Sequence, residues 1–291
     1  MCGIIGYIGK KSASPILLEG LRRLEYRGYD SAGVAVIDTD LVIRKKKGKI
    51  DEGLAKVLRA QPTEGCLGIG HTRWATHGPP ADENSHPHLD QTGRIAVVHN
   101  GVIENYDRIK NKLVQLGHVF QSSTDTEVLA HLIGEHYQKH KGKNGNSNPL
   151  ALAVCDALRE VIGTYGLAVI SADQPNTIVG ARRGSPLIIG IGNGENFVAS
   201  DANAIVAHTR EVVYLNDYDV ATITPDRFDV QNLGTDTANV QISKLEFNSQ
   251  DAERGEYAHY MLKEIYEQPR TVENALRGRI DFEGATAKFG G

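Results

Sequence analysis

No apolar run in the 291 residues approaches the roughly 20 that a membrane-spanning helix needs. The N-terminus also lacks the basic segment and long apolar stretch of a secretory signal. Cysteine is scarce: Cys2, Cys66 and Cys155 are three, too few and odd in number for a disulfide framework, which fits a reducing, cytoplasmic setting. Basic charge is not in excess, since 32 Lys and Arg face 36 Asp and Glu for a net charge of −4. That balance argues against a nucleic-acid partner held through phosphate contacts. The short run Lys45-Lys46-Lys47 reads as a solvated strand end or turn. What remains is an ordinary soluble composition, 40% hydrophobic and 23% charged.

The patterning predicts many short strands with helices between them. Gly3–Ile8 reads as a strand, and Ser14-Pro15 opens a helix with Leu17, Leu18, Leu21 and Leu24 on one face and Gly28 just past its end. Strands are expected at 33–37, 41–44, 66–71 and 95–99, with a short helix at 52–60. Residues 72–89 are polar, rich in His and Pro, and irregular, a loop long enough to be functional. Asn105 is expected to cap a helix ending near Gly117. Thr124 and Glu127 have the spacing of a capping box ahead of another helix, and Asn148-Pro149 starts a third. From residue 167 to 231 seven short strands follow, with a hairpin at Asn193-Gly194. Gly190–Gly194 lacks the helix that a phosphate-binding loop requires and is read as a turn. Asp251 to Arg279 is charged and helical, interrupted at Pro269. Blocks of strands separated by helices point to an α+β protein of stacked antiparallel sheets covered by helices, with a main domain over 1–240 and a linker and a further region over 241–291.

Five short stretches are candidates for chemistry. Cys2 directly follows the initiator methionine; once Met1 is removed, one residue holds both a thiol and an α-amine, a nucleophile with its own base. An α-amine is well matched to that role, because with a pKa of about 7.7–8.0 roughly a tenth is neutral at pH 7, against less than a thousandth of a lysine. Position alone favours a small buried cysteine, and the other motifs shift that balance. Arg73, in Arg73-Trp74-Ala75-Thr76-His77-Gly78, offers a planar fork suited to a carboxylate, with Thr76 and His77 as further donors. The same residues could instead tie down the loop. His71, His77, His86 and His88 match no metal-binding spacing, and no metal is expected. Asn100-Gly101 is either a tight turn or an oxyanion hole of one side-chain amide and one backbone N–H. Asp125, at the head of a capped helix, either complements the helix dipole or receives an ammonium group. Glu25–Gly33 is dense in polar residues and reads as a connection with an internal Arg–Asp pair. Together these parts describe hydrolysis of a free amino-acid side-chain amide, and L-glutamine fits.

These same motifs resemble the N-terminal-nucleophile (class II) glutamine amidotransferases. Leu21–Gly33, with Tyr29 between the Gly and the Asp, and His259–Pro269 are similar to the branch of that family that aminates fructose 6-phosphate. The resemblance implies a four-layer αββα sandwich, no cofactor, and roles residue by residue. Cys2 would be the nucleophile with its α-amine as base, Asn100 and Gly101 the oxyanion hole, and Arg27 the residue that orients the N-terminus. Arg73, Thr76 and His77 would hold the α-carboxylate of glutamine, and Asp125 with Gly101 its amine. Trp74 would sit on the loop that closes over glutamine, with His86 helping to fix that loop. It also implies ammonia delivery to fructose 6-phosphate bound in isomerase domains that these 291 residues do not include, so glutaminase activity without amino-sugar synthesis is expected here. A homo-oligomer is compatible with this pattern.

Overall fold

The computed structural model describes residues 2–75, 78–142, 148–235, 238, 240–246, 255–258, 260–276, 280–281 and 286–287. The chain divides into two compact units, Met1–Ser249 and Gln250–Gly291. Thr76 and His77 lie outside the described residues, as do Met1 and His259.

The first unit is built on two antiparallel sheets. Its strands are β1 (Gly3–Ile8), β2 (Ser31–Ile37), β3 (Leu41–Lys47), β4 (Leu67–Arg73), β5 (His88–Leu89), β6 (Ile95–Ile103), β7 (Gly163–Ser171), β8 (Ile178–Arg183), β9 (Ile188–Ile191), β10 (Asn196–Ala199), β11 (Glu211–Tyr214), β12 (Asp219–Ile223), β13 (Phe228–Asn232) and β14 (Ile242–Lys244). One sheet has the order β14-β11-β9-β10-β1-β4-β2-β3, the other β13-β12-β8-β7-β6-β5. The helices are α1 (Ala13–Leu24), α2 (Leu54–Ala60), α3 (Tyr106–Gln115), α4 (Asp125–His140) and α5 (Pro149–Glu160). Helix α1 lies over β1 and β4, while α4 lies over β6 and against α5. The layers are therefore α, β, β, α, the fold class that the patterning and the resemblance called for.

Side-chain alternation explains the two cores. Ile4, Ile8, Ile69, Val98, Ile170 and Val198 point between the sheets and form one apolar cluster. Val97, Val169 and Val179 point the other way, onto Leu129, Ile133, Val154 and Leu158 of α4 and α5. β1 is buried along its whole length. It sits mid-sheet, paired with β10 on one side and β4 on the other, so the residues that directly follow Cys2 are fixed inside that sheet.

Several local expectations change. β6 does not stop at His99: it runs on through Asn100-Gly101 to Ile103, paired throughout with β7. Asn100-Gly101 is therefore not a turn. Gly101 has φ 136°, and a Cβ there would stand 2.1 Å from the Thr164 carbonyl oxygen, so only glycine fits. Thr124 caps α4 by accepting from the Glu127 N–H, as the spacing indicated. Glu127 does not reach back to complete the box; its carboxylate accepts from the N–H groups of Gln121 and Ser122 instead. Asn105 precedes α3, but its side chain bridges to Glu160 and Ile162 and leaves the helix uncapped by it. Lys45 is not a solvated charge, because its ammonium donates to the carbonyls of Glu83, Ser85 and Pro87 and pins that loop. In the second unit, the helix Tyr260–Leu276 contains Pro269 within its length rather than ending there.

Candidate active site

The site is assembled at the ends of β1, β4 and β6 and the start of α4. A cavity of ≈370 Å³ opens there, lined by Cys2, Arg27, Arg73, Trp74, His86, His99, Asn100, Gly101, Val102, Thr124, Asp125, Thr126, Ser185 and Pro186. Eight of the ten residues singled out from the sequence are among them, drawn from positions 2 to 125 of the chain; the other two are Thr76 and His77.

Cys2 occupies the position just before β1. Its Sγ accepts the Trp74 N–H at 3.1 Å and lies 3.4 Å from the Trp74 carbonyl oxygen. Burial pushes the thiol up from its ordinary value, and the Trp74 N–H and the Arg73 charge pull it back. Gly3 allows this approach: a Cβ there would meet Leu24 and the Thr72 hydroxyl at 2.7 Å.

Asn100 faces Cys2 from the second sheet, its Nδ2 donating to the Cys2 carbonyl at 3.3 Å. Asp125, 4% exposed, is the first residue of α4. One of its oxygens accepts the Ile103 N–H at 2.8 Å, which fixes the carboxylate at the cavity wall. The residues on either side of it are held from below. Thr124 Oγ1 is 3.0 Å from His88 Nε2, and Thr126 Oγ1 is 3.1 Å from His99 Nδ1.

The two arginines are placed by partners the sequence did not indicate. The expected internal pair within Glu25–Gly33 does not form. Arg27 lies 3.4 Å from Asp201, and Asp30 lies 3.6 Å from Arg73. The Arg73 guanidinium, 4% exposed, also donates to the carbonyls of Gly78 and Pro79, so it both lines the cavity and braces the loop that follows it. Asp30 further accepts the Ala75 N–H, which clamps the segment carrying Trp74. Trp74 itself is 53% exposed and its ring lies against Gly28, where a Cβ would come within 2.2 Å. The density of polar residues at 25–33 signalled importance but did not say which arginine Asp30 would meet.

Beneath the cavity four histidines, His71, His86, His88 and His99, are buried. His71 and His86 stack at 4.1 Å, and the His99 N–H donates to His86 Nδ1 at 3.4 Å. Burial drives His71 down to about 3 and carries His86 and His88 well below their ordinary value, so all three are neutral near pH 7. Among the described residues no group of three or more His, Cys, Asp or Glu side chains is arranged to hold a metal ion. Nor is any described helix long and apolar enough to cross a membrane.

The arrangement offers a thiol with donors on one side, a fixed carboxylate, and two guanidinium groups around one cavity. By charge and donor type, such a set could receive a zwitterion with a polar side chain. Residues 59–246 match the model of the glutamine amidotransferase domain. Over essentially its whole length the chain is 48% identical to an isomerising glutamine–fructose-6-phosphate aminotransferase of Chlorobaculum tepidum and 47% identical to that of Aquifex aeolicus. It spans about half the length of these curated relatives, 47% in each case. Among solved structures, the glutamine phosphoribosylpyrophosphate amidotransferase from B. subtilis superposes with a TM-score of 0.64 at 27% identity, covering 82% of this chain and 50% of that one. The fold, the cavity and these likenesses converge: the chain belongs to the glutamine amidotransferase domain family.

Proposed function

We propose that this chain is the glutaminase half of an isomerising glutamine–fructose-6-phosphate aminotransferase. The observation that carries the reading is the meeting of Cys2, Asn100 and Asp125 in one cavity, with Arg73 and Arg27 on its wall. Identity of 47–48% to relatives of that name favours this branch over the phosphoribosyl type, which stands at 27%.

In this reading Met1 is removed and the Cys2 α-amine becomes the base. Glutamine enters with its carboxylate toward Arg73, assisted by Thr76 and His77, and its ammonium toward Asp125. Arg27 orients the new N-terminus, and Trp74 closes over the substrate on a segment braced by Asp30 and by His86 beneath. The amine takes the thiol proton as sulfur attacks the side-chain carbonyl carbon. The resulting oxyanion is met by Asn100 Nδ2 and the Gly101 N–H, each such donor supplying about 2.7–4 kcal/mol. Collapse breaks the C–N bond, the amine returns the proton to the departing ammonia, and a γ-glutamyl thioester remains. Water, deprotonated by the same amine, then releases glutamate and restores the thiol. In a protein of the relatives' length the ammonia passes to fructose 6-phosphate in the remaining half and yields glucosamine 6-phosphate. Residues 1–240 are assigned to the glutaminase domain, and 241–291 to the linker and the start of the sugar-phosphate region. We assign the reaction to the cytoplasm; a homo-oligomer is compatible with it.

The test is ammonia and glutamate release from glutamine by the wild type and by Cys2→Ala. Loss of activity in the alanine variant supports the reading. A wild type without glutaminase activity that still binds glutamine points instead to a silent binding module.

A further inference from the structure

His71 is a buried polar group near the site that the reaction as described does not use. It sits on β4, 1% exposed, beneath Asn100. Its Nε2 lies 2.9 Å from Asn100 Oδ1 and 3.1 Å from the His99 carbonyl oxygen. The carbonyl can only accept, so Nε2 must carry the proton. The Asn100 atom at 2.9 Å must then also be an acceptor, its oxygen, which turns Nδ2 toward Cys2, where it meets the Cys2 carbonyl. The other ring nitrogen, Nδ1, is buried with no hydrogen-bond partner among the described residues, as fits a bare lone pair packed beside His86.

We propose that His71 is a positioning residue that sets the amide orientation of Asn100 through a fixed Nε2–H tautomer. The inference rests on Asn100 serving as an oxyanion donor. A free amide rotates by half a turn at little cost and would then present its oxygen to the developing negative charge. With Nε2–H beneath it, the wrong orientation sets two N–H groups face to face in a buried place, where each unmet donor is costly. The neutral state that this requires is the one that burial imposes, since His71 is held near 3.

Glutamine hydrolysis by His71→Met, His71→Gln, Asn100→Ala and the double variant His71→Met/Asn100→Ala provides the test. Glutamine places an amide nitrogen near the position of Nε2; methionine fills the volume without a donor. His71→Met is expected to lose about 10- to 100-fold in kcat with KM within about threefold. His71→Gln is expected to recover most of the loss, and the double variant to be no slower than Asn100→Ala. Alkylation of Cys2 by iodoacetamide, which forms no oxyanion, should proceed at the wild-type rate in His71→Met. Wild-type kcat in His71→Met, no recovery in His71→Gln, or additive losses in the double variant each overturn the proposal. Nitrogen-15 NMR of the wild-type protein covers the case in which a variant does not fold. A His71 ring with Nε2 protonated and no titration between pH 5 and 9 supports the assignment, and a proton on Nδ1 or a titrating ring overturns it. Should the wild type lack glutaminase activity, the functional reading fails, whereas the NMR result still decides the tautomer.

Discussion

Replacing Asp125 by Asn separates substrate recognition from stability. The carboxylate is 4% exposed and one of its oxygens accepts the Ile103 N–H at 2.8 Å. Asparagine keeps an oxygen for that bond and nearly the same volume, so the β6–α4 junction should survive. Two things are lost. The first is a negative charge in the first turn of α4, worth about 0.3–1 kcal/mol to the helix. For a domain of this size that lowers Tm by no more than about 4 °C. The second is the acceptor for the glutamine ammonium, a charge-assisted interaction of about 1.5–3 kcal/mol. At 1.4 kcal/mol per decade, the corresponding rise in KM is roughly 10- to 150-fold. Because the ammonium charge does not change along the reaction, the loss should fall mainly on KM with kcat within a few-fold. The assay is steady-state glutamate release across a wide glutamine range, with a thermal melt alongside. An unchanged KM, or a kcat loss at constant KM, would refute the assignment of Asp125 to the ammonium.

Three further outcomes follow from the same geometry. His71, His86 and His88 are neutral in the folded protein and ionise freely when unfolded, so the unfolded state binds more protons below pH 6.5. Stability should therefore be full well above about 6.5 and fall as the pH drops below it, by up to about 1.4 kcal/mol per pH unit for His71, down to its folded value of about 3, with His86 and His88 acting in the same direction; urea melts between pH 7 and 5 that show no decline would contradict it. Gly28 has φ 97° and a Cβ there would meet the Trp74 ring at 2.2 Å, so Gly28→Ala should displace the only tryptophan of the chain. A shift in emission maximum together with reduced glutaminase activity checks this, and an unaltered spectrum opposes it. Gly101→Ala should cost more than about 1–3 kcal/mol of backbone strain, because its Cβ also meets the Thr164 carbonyl at 2.1 Å; a melt indistinguishable from wild type would deny that.

Much of the fold was legible because side-chain periodicity reports burial directly. The continuous apolar runs at 167–170 and 197–199 and the leucine spacing of α1 announced their elements within a few residues. Asn100-Gly101 shows where local reading fails. The dipeptide favours a turn, but pairing with β7 over nine residues outweighs that preference and holds Gly101 at a positive φ inside a strand. The candidate residues stood out because Cys2, Arg73, Asn100 and Asp125 each fit one part of the glutamine hydrolysis proposed. Their supports did not. His71 and Asp30 act through residues distant in sequence, His71 on Asn100 across the two sheets and Asp30 on Arg73, and no local pattern encodes such pairings. Lys45 misleads for the same reason, since its three carbonyl partners lie some 40 positions further on.

The most direct measurement concerns Cys2 itself: intact mass of the purified protein, followed by mass analysis after rapid acid quench with glutamine. The expected result is a chain lacking Met1 that carries a γ-glutamyl adduct on Cys2, absent from Cys2→Ala together with all glutamate release. An active chain that retains Met1, or glutamine hydrolysis undiminished in Cys2→Ala, would contradict the N-terminal nucleophile.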